Sequence, residues 1–167
     1  MNKLFNSSPR ILVSNTAWHG HFKTSYPIAE LIKLMEPEFR KILNYHQDTT
    51  FRVTAIRKRS KSGQYSSHQR MVELDCRLPL SVAITTLAHE LVHAEQYHQG
   101  RLITQVSNGR WVRYWNNKPV EVRNGYKAYR ALPWEVEAFD RESSLAEQAL
   151  GQIGLTVDDL NGVLILS

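Results

Sequence analysis

An α+β fold is expected for this 167-residue chain from three observations. Ile28, Leu31, Ile32, Leu34, Met35, Phe39, Ile42 and Leu43 recur at spacings of three and four between Pro27 and Tyr45, the period of an amphipathic helix. Phe51 to Ile56 and Met71 to Cys76 alternate apolar and polar residues, the period of a strand. Two further stretches are punctuated as helices, Leu80 to Gln99 between Pro79 and Gly100, and Pro133 to about Leu150 with proline in the first turn.

In order along the chain, an irregular start rich in Ser, Asn and Gly precedes the first helix, which Pro37 can kink. The two alternating runs are expected to pair antiparallel around a mobile basic loop containing Ser60, Ser62 and Gly63. Trp111 to Trp115 and Val120 to Val122 flank Asn116-Asn117-Lys118-Pro119, which suggests a second hairpin. Val163 to Leu166 forms a short strand or a packed extension. There is no internal repeat, low-complexity tract or linker, so residues 1–167 are read as a single domain.

The 42% hydrophobic content suffices for a core without covalent staples. Cys76 is the only cysteine, which excludes an intrachain disulfide framework and a thiolate zinc cluster; a metal must be held by His, Asp or Glu. Met1 to Arg10 lacks an apolar run of signal-peptide length and no stretch approaches a membrane span, so a cytoplasmic location is expected. A formal charge of +5 favours acidic partners, nucleic acid among them, where it is concentrated on one face.

His89-Glu90-Leu91-Val92-His93 is an H-E-x-x-H motif inside the expected Leu80 to Gln99 helix. Four helical residues turn the chain by about 400°, so the two imidazoles emerge about 40° apart and one turn up, close enough to share a tetrahedral zinc ion. Glu90 is then placed to take a proton from a zinc-activated water without ligating the metal. Leu87, Leu91 and Ala94 form an apolar stripe beside the histidines, which turns the motif inward, where unpaired polar groups are costly.

Such a site needs a third protein ligand. His98 lies nine residues after His89, half a revolution away, and is explained as an exposed histidine at a helix C-terminus. Better candidates lie in Pro133-Trp134-Glu135-Val136-Glu137-Ala138-Phe139-Asp140. Glu135 and Glu137 point to nearly opposite sides of a helix, so only one can reach the ion. Glu135 in the first turn is explained by the helix dipole alone, so Glu137, near Trp134 and Ala138, is the expected ligand. Asp140 is a candidate to accept the second ring N–H of a ligand histidine.

His89, Glu90 and His93, followed 44 residues later by Glu137-Ala138, resemble the gluzincin class of metallopeptidases. Tyr129 to Glu142 is also similar to small H-E-x-x-H proteins of bacteriophages and bacteria, including relatives of the ImmA/IrrE-type peptidases. The resemblance covers Met71 to Glu142. It implies a minimal zincin-like domain, with the motif helix, a small antiparallel sheet and a C-terminal helix delivering the third ligand. The implied activity is Zn2+-dependent hydrolysis of a protein or peptide substrate with Glu90 as general base, in the host cytoplasm for a phage product. SprT-like proteases are the competing family, but they take a downstream histidine as third ligand, and none follows His98.

By the same resemblance, Met71 to Cys76 would bind the substrate backbone as an added strand. Tyr126, Tyr129 and Arg130 are candidates to donate to a developing oxyanion. Arg57, Lys58, Arg59, Lys61 and Arg70 crowd the first hairpin, Arg57 to Arg70, with Phe51 and Tyr65 nearby; they are read as a solvated hairpin or a nucleic-acid face. The alternative function is accordingly a nucleic-acid-associated binding protein with a structural or vestigial zinc site.

Overall fold

The computed structural model describes residues 11–13, 22–56 and 61–161, with side chains from Pro27 onwards in the first helix. Helices and strands are mixed, so the chain is α+β. Strand β1 (Ile11–Val13), which the sequence reading left irregular, precedes helix α1 (Phe22–Ile42), which contains both Pro27 and Pro37. Ile28, Leu31, Ile32, Met35 and Phe39 of α1 are all buried, the i, i+3, i+4, i+7 stripe expected of a helix against a core.

Strands β2 (Thr50–Thr54), β3 (Gly63–Ser66) and β4 (Met71–Asp75) follow. They correct the sequence reading in two ways. β2 and β4 are parallel neighbours, Phe51 facing Val72 and Val53 facing Leu74, and β3 is built from part of the stretch read as a loop. β3 turns back through Arg70, at φ 47°, into β4 and pairs with it antiparallel, giving the order β1-β2-β4-β3. The chain therefore crosses over β4 after β2, then returns between its own neighbours. β4 is paired on both sides and buried on both faces, while β3 is the sheet's edge beside the next helix.

That helix is α2 (Leu80–His98), within a residue of its expected bounds. It ends where Gly100 takes φ 69°, a conformation without penalty for glycine, and the amides of Gly100 and Arg101 cap the carbonyls of Tyr97 and Gln96. Every residue from Leu87 to Gln96 is buried, so this helix is enclosed on all sides, by α1, the sheet and α4.

A three-stranded antiparallel meander comes next: β5 (Leu102–Ser107), β6 (Arg110–Trp115) and β7 (Lys118–Val120). The expected hairpin is its β6–β7 half. β5 joins it through Asn108-Gly109, both at positive φ, the backbone that a two-residue hairpin turn requires. Short helix α3 (Tyr126–Arg130) leads into α4 (Pro133–Gly151), and α5 (Val157–Asn161) closes the described chain. α4 packs along α2 through Ala138, Ala146 and Ala149, small side chains that admit close approach. Trp134, with Leu102 and Leu132, forms a second, smaller core beneath the meander. Among the described residues, no helix is long and apolar enough to cross a membrane. The expected segment Val163 to Leu166 and the N-terminal Met1 to Arg10 lie outside the described residues, as do Arg57, Lys58 and Arg59 of the basic stretch.

Candidate metal centre

Because α2 is enclosed, each polar side chain on its buried stretch needs a partner or a purpose. Glu95 has partners: it accepts from the amide of Asn44 at 2.9 Å and from Arg141 at 2.8 Å. Gln96 has them too, since its amide donates to the carbonyl of Trp134 at 3.0 Å. His89, Glu90 and His93 remain, and all three are buried.

The two histidines converge with Glu135. Nε2 of His93 lies 3.2 Å from Nε2 of His89, and each Nε2 lies 3.4 Å from Oε2 of Glu135. The outer nitrogens of both rings are already engaged. Nδ1 of His89 lies 2.7 Å from Oε2 of Glu142, and Nδ1 of His93 lies 2.9 Å from Oε1 of Gln96. The carbonyl of Trp134 can only accept, so the Gln96 amide NH2 faces it and Oε1 faces His93, which makes Nδ1 the protonated nitrogen of that ring. An oxygen of the Glu142 side chain likewise accepts from Nδ1 of His89.

The Nε2 atoms of both rings and a carboxylate oxygen thus face one another in a buried space. Oε2 of Glu135 has no hydrogen-bond partner there. A cation satisfies all three atoms at once, and the spacing suits one: a tetrahedral zinc with bonds of ~2.0–2.1 Å needs donor pairs roughly 3.3–3.4 Å apart. His89, His93 and Glu135 are close enough together to bind a metal ion.

Burial disfavours the charged ring of His89, yet Glu135, Glu142 and the charge of Glu90 outweigh it and raise its pKa to about 9. Burial likewise works against the Glu135 carboxylate, but His89, His93 and the Tyr129 hydroxyl hold it well below the usual range. Glu90 moves the other way: burial pushes its carboxyl up, and the neighbouring histidines only partly compensate. A carboxyl raised in this manner is suited to accepting a proton.

Two sequence expectations change position here. Glu137 is not brought to the histidines; both of its oxygens are taken by Arg101, at 2.6 and 2.9 Å, and Oε1 also by Arg141 at 2.8 Å. The two glutamates do diverge as expected, but the buried stripe of α4 includes Leu145, Ala146 and Ala149 besides Trp134 and Ala138, and at about 100° per residue that longer stripe is centred nearer Glu135. Asp140 is exposed, and Glu142 is the carboxylate on the His89 ring. Glu142 sits seven residues after Glu135, two turns along one face, a spacing that was open to reading. Tyr129 is near the site, its hydroxyl directed at Glu135. His98 is exposed and packs edge-on against His46, with ring centroids 4.2 Å apart.

The edge-strand role expected of Met71 to Cys76 is also ruled out for that strand, because both of its edges are paired. Among the described strands the edges of this sheet are β1 and β3, and β3 lies so close to α2 that a Cβ on Gly63 would come within 2.7 Å of the Thr86 methyl. No protein-family model, curated protein or solved structure matches the chain.

Proposed function

We propose that this chain is a zinc-dependent metallopeptidase of gluzincin type, with the ion held by His89, His93 and Glu135 and with Glu90 as general base. The observation that carries the reading is the buried triangle of two converging imidazole nitrogens and one carboxylate oxygen without a hydrogen-bond partner. Nitrogen and oxygen donors without thiolate suit zinc, and three protein donors leave a coordination position open. A zinc ion bound there would polarise a substrate carbonyl and acidify a water.

The chain's own residues supply the rest. Glu90, next in sequence to His89 and buried beside the donors, accepts the proton of the attacking water and passes it to the leaving amine. Glu142 and Gln96 keep the ligand rings in one tautomer and one orientation. Tyr129 steadies Glu135 and offers a hydroxyl to a developing oxyanion. The unpaired edge of β3, against the motif helix, is the strand on which an extended peptide can add.

A purely structural zinc site explains less, since it requires a fourth donor and gives no use to a buried, non-ligating Glu90. The test is metal analysis of the purified chain together with fragmentation of an unfolded polypeptide by the zinc-loaded protein. Stoichiometric zinc with fragmentation that stops in Glu90→Gln is expected. Zinc binding with no fragmentation of any polypeptide by the wild type would refute the peptidase reading.

A further inference from the structure

Several arginines among the described residues are neutralised by carboxylates. Arg52 holds Glu73, Arg70 holds Asp48, Arg77 holds Asp75, and Arg101 and Arg141 hold Glu137. Like the exposed Arg110, two arginines near the helix that carries Glu135, Arg113 of β6 and Arg130 of α3, form no ion pair with any described residue, and Arg130 donates to the Tyr126 hydroxyl at 3.4 Å. Each is instead laid on an aromatic ring of the helix that supplies Glu135. The Arg130 guanidinium lies 3.9 Å from the ring centre of Phe139, whose ring is in turn 4.6 Å from that of His89. The Arg113 guanidinium lies 5.5 Å from the ring centre of Trp134, the residue before Glu135.

A third cation joins them from the opposite part of the fold. Lys61, at the start of the segment leading into β3, is exposed, bonds only to the side-chain oxygen of Gln64 among the described residues, and acts electrostatically on Glu90. Stacking fixes each guanidinium without discharging it, which leaves planar donors free to take a carboxylate in two-pronged fashion. Lys61 and Arg130 add positive potential that the site's own Glu90 and Glu142 partly offset.

We propose that the site selects acidic polypeptide segments, with Arg113 and Arg130 binding side-chain carboxylates of the substrate on either side of the bond presented to the metal centre. The inference rests on the peptidase reading for its chemistry. Binding alone can test it.

The probe is a fluorescein-labelled extended peptide containing several Asp residues, compared with the same peptide carrying Asn, bound to the full zinc-loaded chain with Glu90→Gln to prevent turnover. Tighter binding of the Asp peptide by roughly tenfold or more is expected at low salt, following the strength of two-pronged charge-assisted pairs. Arg113→Gln with Arg130→Gln should abolish the preference while circular dichroism and zinc content stay unchanged. Lys33→Gln with Lys41→Gln, which removes the same charge from exposed positions of α1, should leave it intact. Equal binding of both peptides, a preference that survives in the arginine variant, or equal loss in the α1 variant would overturn the proposal. So would tighter binding of a single-stranded oligonucleotide of matched charge, which would make the cations a nucleic-acid contact. If the double arginine variant fails to fold, Arg113→Lys and Arg130→Lys, which keep the charge but lose the planar fork, replace it and should lower the preference several-fold. Acidic selectivity without hydrolysis in the wild type would sink the peptidase reading alone; hydrolysis indifferent to Asp would sink this inference alone.

Discussion

Gln96 stands between His93 and the helix that carries Glu135, accepting from the ring at 2.9 Å while donating to the Trp134 carbonyl at 3.0 Å. One side chain therefore sets both the tautomer of a ligand and the distance between two helices. Gln96→Glu cannot donate to that carbonyl in its ionised form, and Gln96→Leu can do neither. Both variants are expected to bind zinc roughly 10- to 100-fold more weakly, as measured by competition with a chromophoric chelator. Unchanged affinity in both would show that the ring is positioned by packing alone.

Metal stoichiometry should follow the geometry residue by residue. About one zinc per chain is expected in the wild type, with loss in His89→Ala, His93→Ala and Glu135→Ala, and retention in His98→Ala and Glu137→Ala. Elemental analysis of the five variants after gel filtration checks this. Zinc retained by Glu135→Ala but lost by Glu137→Ala would reverse the ligand assignment.

Glu90→Gln should keep zinc and thermal stability while hydrolysis falls by several orders of magnitude, because the amide cannot accept the water's proton. Turnover at the wild-type rate would remove Glu90 from the mechanism.

Glu137 should matter to stability rather than to metal. Burial works against its carboxylate, but Arg101 and Arg141 outweigh this and hold its pKa below the usual range. A group depressed in the folded state stabilises above its unfolded pKa, about 4.3 for glutamate, and that stabilisation disappears as pH falls through the lower folded value. Glu137→Gln should therefore lower the melting temperature at pH 7 by a few degrees, corresponding to about 1 kcal/mol, and by less at pH 3. Differential scanning fluorimetry at the two pH values distinguishes this from an effect on folding that ignores pH.

The helices of this fold were legible because their ends are written in proline and glycine: Pro79 and Gly100 bound α2 to within a residue, and Pro133 opens α4. The motif's helical phase was equally legible, and it brings His89 and His93 together. The third donor was misplaced because Trp134 and Ala138 are too short a sample of a helical stripe; Leu145, Ala146 and Ala149 carry the phase towards Glu135. β3 escaped notice because Gly63, Gln64, Tyr65 and Ser66 are all partly exposed and show no apolar alternation. Parallel pairing of β2 with β4 was beyond local reading, since two alternating runs look the same in either direction. Asn108-Gly109, by contrast, was a turn signal in plain view, and it marks the β5–β6 hairpin.

The meander and α3 both lie in the chain between His89 and Glu135, and the candidate donors are at the two ends of that stretch. An ion shared by those ends would act as a cross-link, closing a loop that contains β5, β6, β7 and α3 and lowering the entropy of the unfolded chain much as a disulfide does. Chelation should then do more than silence chemistry. It should let the excursion between α2 and α4 breathe, so that trypsin reaches Arg110 and Arg113 sooner in chelator than in zinc, while α1 and the four-stranded sheet keep their resistance.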